Sequence, residues 1–208
     1  MTRNAAGSAN LRILLIAGVA ALAGAGASLF FDPTIVTRLA STEPGQRVLG
    51  VVLDARAPEV PAGVIVAKRG DIVPTMTLRD ITGTSVTLPG AWAGRLTLVN
   101  LWATWCAPCL KEMPELQAFA GEQRSTGVRV VGIALDDAAA VREFLRAHAI
   151  NYPSLVDAPG TADAGVRLGN PAGVLPYTVL IDADGRLLKT RIGPFESGKD
   201  ITAWATAN

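Results

Sequence analysis

The sequence has little of several residue types, and each scarcity excludes a class of protein. Among its 208 residues are only two cysteines, Cys106 and Cys109, and one histidine, His148. A tetrahedral zinc site needs four ligands, so zinc within one chain would require carboxylates or a second molecule, and we expect neither a metal nor a cofactor. A net charge of +1 provides no basic surface for nucleic acid. The chain also lacks the glycine motifs of phosphate-binding and dinucleotide-binding loops.

The longest stretch without charge lies near the N-terminus, over residues 13–31. As a helix it would span roughly 28 Å, close to the hydrocarbon thickness of a bilayer. Two arginines precede it and Asp32 follows it, so we expect residues 1–12 to be a cytoplasmic tail and the rest of the chain to lie across the membrane. A cleaved signal peptide is the alternative to this transmembrane anchor, because the small residues around Ala25 fit a cleavage site.

Residues 32–70 are rich in proline and glycine and are predicted to be a tether, followed by a domain over residues 71–208. Two short apolar runs in the tether, residues 48–53 and 64–67, could form strands. The sequence indicates no function for either run.

Apolar runs and helical patterns alternate through the predicted domain. Pairs of short runs with a turn sequence between them predict two β-hairpins, over residues 75–88 and 178–192. Strands are also predicted at 96–103, 128–135 and 152–156, and helices at 106–124, 138–149, 161–168 and 197–206. Asp136 and Asp137 follow a strand and are expected to cap the next helix. This order predicts an α/β fold, a central mixed sheet flanked by helices.

The two cysteines form a C-x-x-C pair between a predicted strand and a predicted helix. Such a pair is typical of a redox dithiol or of half a metal site, and the flanking elements favour the dithiol. Cys106 lies at the helix start, where free backbone N–H groups and the positive end of the helix dipole stabilise a thiolate. Cys109, one turn later, is expected to be less exposed. We therefore predict that Cys106 is the nucleophile and Cys109 the resolving thiol.

Glu112 is the least obvious residue of this helix. On a wheel of about 3.6 residues per turn it falls among Met113, Leu116 and Phe119, on the same face as Cys109. Three other charged residues, Lys111, Glu115 and Glu122, fall on the far side and are expected to be solvated. Glu112 is therefore expected to be partly buried or at the edge of the site, where its carboxylate would exchange a proton with Cys109. The alternative is a first-turn glutamate favoured by the helix dipole.

Two segments carry a family resemblance: residues 100–109 (NLWATWCAPC), followed by Glu112 and Pro114, and residues 174–185 (VLPYTVLIDADG). They resemble the thioredoxin superfamily, and most closely its membrane-tethered TlpA/ResA-like branch. The resemblance implies a thioredoxin-like fold with an N-terminal hairpin extension. It also implies proton transfer at the position of Glu112.

The resemblance assigns further roles around the cysteines. Pro176 would follow a cis peptide bond and form a backbone ledge that pairs with a substrate strand and excludes metal. In cytoplasmic thioredoxins a buried carboxylate usually stands where this chain has Asn100, so that role is vacant or has moved. Four residues are expected to contact the substrate: Trp105, Ala107, Pro108 and Leu175.

The function that the resemblance implies is thiol–disulfide oxidoreduction at the bacterial inner membrane. The chain would be a single-pass protein with its domain in the periplasm, or a secreted periplasmic protein if residues 13–31 are cleaved. Its expected partners are disulfide-containing proteins, in cytochrome c maturation or in copper-centre assembly of cytochrome oxidase. An integral-membrane thiol carrier would supply the electrons.

The direction of electron flow is expected to be reductive. Ala107 and Pro108 include no histidine that could stabilise the Cys106 thiolate and make the pair oxidising. A disulfide-forming oxidase is one alternative. A Cu(I)-binding chaperone is another, because thiolates suit Cu(I), although the chain has only three methionines and one histidine.

Overall fold

The computed structural model describes residues 42–123 and 127–206 of the chain. The expected anchor or signal segment, residues 13–31, lies outside these ranges, as does the expected cytoplasmic tail. Within the described ranges no helix is long and apolar enough to cross a membrane. By its internal contacts the chain divides between Val48 and Leu49 into two compact units, and the sheet and its helices belong to the second unit.

Helix α1 occupies Glu43–Asp54, so the strand expected at residues 48–53 was a wrong prediction. The Thr42 hydroxyl oxygen accepts a hydrogen bond of 3.2 Å from the Gly45 N–H, which satisfies a backbone donor at the helix start. Pro44 stands in the first turn, where a missing N–H is tolerated. A short apolar run fits a strand or a helix. Here Thr42 and Pro44 favour the start of a helix.

The other strand expected in the tether, at residues 64–67, is also a wrong prediction. The Val64 N–H closes a turn on the Pro61 carbonyl oxygen at 3.1 Å, and the Ala67 N–H donates to the Arg167 carbonyl oxygen at 3.0 Å. Because these donors are used in a turn and in one isolated contact, the run forms no ladder with a neighbouring strand.

Seven strands of the described residues form one mixed sheet. They are β1 (Met76–Asp80), β2 (Ser85–Leu88), β3 (Thr97–Trp102), β4 (Arg129–Leu135), β5 (Ser154–Asp157), β6 (Tyr177–Ile181) and β7 (Leu187–Ile192). Their order across the sheet is β2-β1-β5-β4-β3-β6-β7. The pairs β3–β4 and β4–β5 are parallel and the others antiparallel. The strands predicted within the domain are confirmed, with ends that differ by about one or two residues.

Helices cover both faces of this sheet. They are α2 (Ala107–Gln123), α3 (Ala138–Ala147), α4 (Ala164–Arg167) and α5 (Gly198–Thr206). Buried residues of α2, α3 and α5 share one hydrophobic cluster with Leu98 and Trp102 of β3. Ala164 of α4 shares the opposite cluster with Val99 and Leu101. Because successive strand residues face opposite sides, β3 is buried on both faces, and each large apolar side chain buried there contributes about 1.5–3 kcal/mol.

Both predicted hairpins turn on an aspartate and a glycine. In the β1–β2 turn, Asp80 Oδ1 accepts hydrogen bonds from two backbone N–H groups, and Gly83 adopts φ +90°. In the β6–β7 turn, Asp182 Oδ1 and Gly185, at φ +87°, repeat this arrangement. Glycine adopts such φ values without a steric cost. The first hairpin extends the sheet by pairing β1 with β5, as predicted.

Candidate active site

The two cysteines lie where the central strand β3 passes into helix α2. A disulfide joins them, with an S–S distance of 2.00 Å. Cys106 directly precedes α2 and is 4% exposed, whereas Cys109 lies within the helix and is fully buried. The Cys109 N–H donates to the Cys106 sulfur at 3.4 Å. A backbone donor of the first helical turn therefore faces the sulfur that was predicted to become a thiolate.

The loop that leads into Cys106 is fixed from the end of β4, by a contact that the sequence analysis missed. Asp136 accepts a hydrogen bond of 2.9 Å from the Thr104 N–H and a second from the Thr104 hydroxyl. Burial alone would raise the pKa of Asp136, but hydrogen bonds from Thr104 and Asp137 outweigh it and hold the pKa below its usual value. Only Asp137 caps α3 as expected, by accepting from two N–H groups of its first turn. Thr104 and Asp136 follow β3 and β4, two parallel strands that end at the same edge of the sheet. This placement is the signal from which the contact could have been predicted.

The peptide bond before Pro176 is cis, which confirms the predicted geometry. Pro176 is buried and directly precedes β6, whose first residue Tyr177 pairs with Leu101 of β3. Antiparallel pairing therefore places Pro176 alongside Trp102, at the end of β3 that leads to the cysteines. A second cis bond, between Leu88 and Pro89, was not predicted.

Glu112 is buried on the face of α2 that also carries Cys109, with 1% of its surface exposed. Its Oε1 atom accepts a hydrogen bond of 2.8 Å from Asn100 Nδ2, and its Oε2 atom accepts one of 2.8 Å from the Phe195 N–H. Burial raises the pKa of Glu112 to about 7, although the hydrogen bonds from Phe195 and Asn100 and the charge of Arg191 oppose the rise. A carboxyl group with this pKa can exchange a proton near neutral pH.

The helical wheel predicted the buried face of α2 well and one charged residue wrongly. The buried residues are Cys109, Glu112, Met113, Leu116 and Phe119. Lys111 and Glu122 are exposed, as expected. Glu115, however, accepts a hydrogen bond of 2.7 Å from the Gly198 N–H. The first N–H groups of a helix have no partner within it, so Glu115 links α2 to the start of α5 instead of facing only water.

The four residues expected to contact a substrate lie in two places. Ala107 and Pro108 are exposed in the first turn of α2. Trp105, 67% exposed, and Leu175 line a groove of about 250 Å³. The tether contributes to the same groove through Pro58 and Val60, with Val166 and Pro171 on other segments. The groove thus includes residues of the predicted tether that lie between its two apolar runs.

The single histidine, His148, contacts Phe144 at the end of α3. His148 Nδ1 lies 2.9 Å from the Phe144 carbonyl oxygen, and the two rings are stacked with centroids 4.0 Å apart. Within residues 42–123 and 127–206, no group of three or more His, Cys, Asp or Glu is arranged to hold a metal ion.

The fold and the site together define a class of protein. A mixed sheet lies between helices, and a C-x-x-C disulfide lies at the start of α2 near a buried cis-proline. This combination is that of a thioredoxin-like thiol–disulfide oxidoreductase.

Comparison with known proteins gives the family. Residues 68–205 match the redoxin family. The thiol-disulfide oxidoreductase ResA of a Bacillus cereus strain is 30% identical over 125 residues, which are 60% of this chain and 69% of that protein. The sporulation thiol-disulfide oxidoreductase A of Bacillus subtilis is 26% identical over 131 residues, which are 61% and 75% of the two chains. The chain therefore belongs to the redoxin family, among its ResA-like thioredoxin-fold members.

A solved structure supports the same fold. A secreted thiol-disulfide isomerase from Corynebacterium glutamicum is similar with a TM-score of 0.57 and 25% sequence identity. The similarity covers 72% of this chain and 94% of that one. The expected thioredoxin-like fold is thus confirmed for the described domain.

Proposed function

We propose that the protein reduces disulfides of partner proteins in the periplasm. Cys106 would be the nucleophile, Cys109 the resolving thiol and Glu112 the group that exchanges a proton with Cys109. The observation that carries this proposal is the carboxyl group of Glu112, which is buried on the Cys109 face of α2 and has a pKa of about 7. Burying an ionisable group costs free energy, and such groups concentrate at sites that move protons.

In the first half of the reaction, the Cys106 thiolate attacks one sulfur of the partner's disulfide. A mixed disulfide forms between Cys106 and that sulfur, and the partner's other sulfur leaves as a thiolate. The Cys109 N–H, 3.4 Å from the Cys106 sulfur, and the positive end of α2 support the thiolate form of Cys106.

In the second half, Cys109 gives its proton to the Glu112 carboxylate and becomes a thiolate. This thiolate attacks the Cys106 sulfur, the Cys106–Cys109 disulfide forms, and the partner's second sulfur leaves as a thiolate. Two electrons have then passed to the partner, whose two thiolates take up protons from water. Because the pKa of Glu112 is about 7, this group can take up the Cys109 proton and release it again near neutral pH.

The groove beside Trp105 suits an extended peptide segment with an apolar side chain near its cysteine. Val60, Val166 and Leu175 give the groove an apolar lining, which favours apolar side chains of the substrate. The backbone around Pro176, at the edge of β6, would pair with the same peptide. This arrangement would place the substrate disulfide over Cys106.

The proposed direction of the reaction is reductive. Neither Ala107 nor Pro108 has a side-chain donor that could stabilise the Cys106 thiolate, so these two side chains do not make the pair more oxidising. We expect a reduction potential nearer to that of thioredoxin, about −270 mV, than to that of DsbA, about −120 mV. The proposed substrates are heme-attachment cysteines in cytochrome c maturation or copper-centre cysteines of a terminal oxidase. An integral-membrane thiol carrier would reduce the pair again.

The reduction potential of the full-length chain tests this direction. The chain in detergent is equilibrated with thiol–disulfide buffers, and the fraction of the Cys106–Cys109 disulfide is measured. A potential near that of thioredoxin supports a reductase, and one above about −150 mV would favour an oxidase.

The proposed location has its own test. Membranes washed with alkaline carbonate should retain the full-length chain, and a reporter fused after residue 31 should be active outside the cytoplasm. Release of a chain that starts near Ala27 would support a cleaved signal peptide. A reporter active only in the cytoplasm would contradict both forms of the proposal.

A further inference from the structure

A row of four polar residues and one glycine crosses the sheet on the side of Glu112. Strand register aligns Ser154 of β5, Gly132 of β4, Asn100 of β3, Thr178 of β6 and Arg191 of β7. Residues in register share one face of a sheet, and Asn100 connects this row to α2. Its Nδ2 atom donates to Glu112 Oε1 at 2.8 Å and to Thr178 Oγ1 at 3.1 Å. The side chains of Asn100, Thr178 and Arg191 are all buried.

Arg191 ends this row with a guanidinium group that is nearly excluded from solvent. Its Nη2 atom donates hydrogen bonds of 3.0 Å to the Pro194 carbonyl oxygen and of 3.0 Å to Asp200 Oδ2. The guanidinium carbon also lies 4.4 Å from the centre of the Phe195 ring. Arg191 thus contacts Pro194 and Phe195 in the segment that follows β7, and Asp200 in α5.

The Pro194 carbonyl and the Phe195 N–H belong to the same planar peptide group. Arg191 holds the oxygen of this group at 3.0 Å, and Glu112 Oε2 accepts a hydrogen bond from its N–H at 2.8 Å. The C=O and N–H bonds of a trans peptide point in opposite directions. By fixing the oxygen, Arg191 therefore aims the N–H at the Glu112 carboxylate, and hydrogen bonds at both ends of the group strengthen each other.

Asp200 pairs with Arg191 and carries the opposite charge near Glu112. Its Oδ2 atom also accepts from the Glu196 N–H at 3.2 Å, so the carboxylate is held in place. The charge of Arg191 lowers the pKa of Glu112, and the charge of Asp200 raises it. From the segment before β5, Tyr152 is the other titratable group nearby: burial, and then the charge of Glu112, raise the pKa of Tyr152. On α2 itself the neighbouring charged residues are Lys111 and Glu115, and Cys106 and Cys109 do not titrate while the disulfide joins them.

We propose that Arg191 is a positioning residue for the proton exchange at Glu112: it orients the Pro194–Phe195 peptide toward the carboxylate and, moderated by Asp200, favours the ionised form. The Arg191–Asp200 pair would thereby set the pH range in which Glu112 accepts the proton of Cys109. This inference rests on the proposed function only insofar as Glu112 serves Cys109. The effect of Arg191 on Glu112 is measurable without any reaction.

The test is the titration of Glu112 in the oxidised full-length chain in detergent micelles. The carbon-13 NMR signal of the Glu112 carboxyl group reports the midpoint, and Glu112→Gln assigns it. Arg191→Met removes both the charge and the hydrogen bond to the peptide oxygen, so the midpoint should rise by about one pH unit or more. Asp200→Asn keeps an acceptor oxygen for Arg191 but removes the negative charge, so the midpoint should fall by about half a unit.

Two further variants separate the effect of the Arg191 charge from that of its geometry and provide a control. Arg191→Lys keeps the charge but loses the planar fork, so it should raise the midpoint less than Arg191→Met does. If Arg191→Met does not fold, Arg191→Lys and Asp200→Asn still decide the question by their opposite directions. Lys189→Met is the matched control, because Lys189 is a half-buried cation two residues earlier on β7, 5.3 Å from the Trp204 ring centre. It should leave the midpoint of Glu112 unchanged.

A merely structural role predicts a different result. If Arg191 and Asp200 only held the segment after β7 in place, loss of the Phe195 hydrogen bond would raise the midpoint in both Arg191→Met and Asp200→Asn. Upward shifts in both variants, or no shift in Arg191→Met, would overturn the proposal. If the shifts are opposite but Glu112→Gln reduces partner disulfides at the wild-type rate at every pH, the inference about Arg191 stands and the proposed role of Glu112 fails.

Discussion

Asn100 donates a hydrogen bond of 2.8 Å from its Nδ2 atom to Oε1 of Glu112, and both side chains are buried. An amide donates and accepts hydrogen bonds but does not titrate near neutral pH, so Glu112 is the titratable member of this pair. The bond opposes the effect of burial and lowers the pKa of Glu112. This relationship gives Asn100 a physical reason to be an amide: it supports a buried carboxylate that α2 supplies.

Glu112→Gln keeps the shape of the side chain and removes its negative charge. We expect a lower pKa of the Cys106 thiol, because a nearby negative charge disfavours a thiolate. The pH dependence of thiol reactivity should become flatter and partner reduction slower, with the fold intact. Alkylation rates of the reduced chain from about pH 4 to pH 10 measure these changes.

The matched control for this variant is Glu122→Gln, because Glu122 is an exposed glutamate on the same helix. Its alkylation curve should coincide with that of the wild type. If the Glu112→Gln curve also coincides with the wild-type curve, Glu112 has no influence on the thiols and the proposed proton transfer is wrong.

The raised pKa of Glu112 also predicts how stability depends on pH. The pKa is about 7 in the folded chain against a usual value of 4.5. The folded chain therefore keeps a proton that the unfolded chain loses between these values, so this contribution to stability is present below about pH 4.5 and is lost as the pH rises through about 7. The free-energy change is on the order of 3 kcal/mol.

Urea unfolding of the oxidised wild type and of Glu112→Gln at a series of pH values measures this effect. From about pH 4 to pH 8, the wild type should lose stability relative to the variant, because a glutamine does not titrate. A difference between the two proteins that stays constant over this range would mean that Glu112 is not protonated near neutral pH.

Trp105→Ala should separate substrate binding from the chemistry of the dithiol. Trp105 is exposed and lines the groove, so its loss should lower kcat/KM for a protein disulfide by about tenfold. Reduction of a small aromatic disulfide, which needs only the cysteines, should continue at nearly the wild-type rate. Ile65→Ala is the control, since Ile65 is an apolar side chain of similar exposure that does not line the groove. Equal losses with both substrates would place the effect of Trp105 on the dithiol itself.

Local patterns were enough to predict most of the elements that carry the site. The continuous apolar runs gave β3 and β4, and the C-x-x-C pair with Pro108 marked the start of α2. The cis bond at Pro176 came from the family resemblance rather than from local chemistry. The helix at Glu43–Asp54 was missed because a short apolar run does not distinguish the periods of a strand and a helix.

The contacts that complete the site depend on the alignment of distant segments. Asp136 reaches Thr104 across 32 residues, and Glu115 reaches Gly198 across 83. Asn100 and Arg191 lie in one row only because β3, β6 and β7 pair in a particular register. A slip of one residue would turn each side chain to the other face. The apolar pattern of a strand buried on both faces, such as β3, does not specify that register.

In the proposed reaction, Cys106 attacks the partner disulfide and Cys109 resolves the mixed disulfide. Trapping in cells that produce the full-length chain tests this order of attack. Cys109→Ser leaves Cys106 able to attack but removes the resolving thiol, so mixed disulfides with partner proteins should accumulate and disappear when reductant is added. Cys106→Ser should trap almost none. Accumulation with Cys106→Ser and none with Cys109→Ser would mean that Cys109 is the nucleophile and Cys106 the resolving thiol.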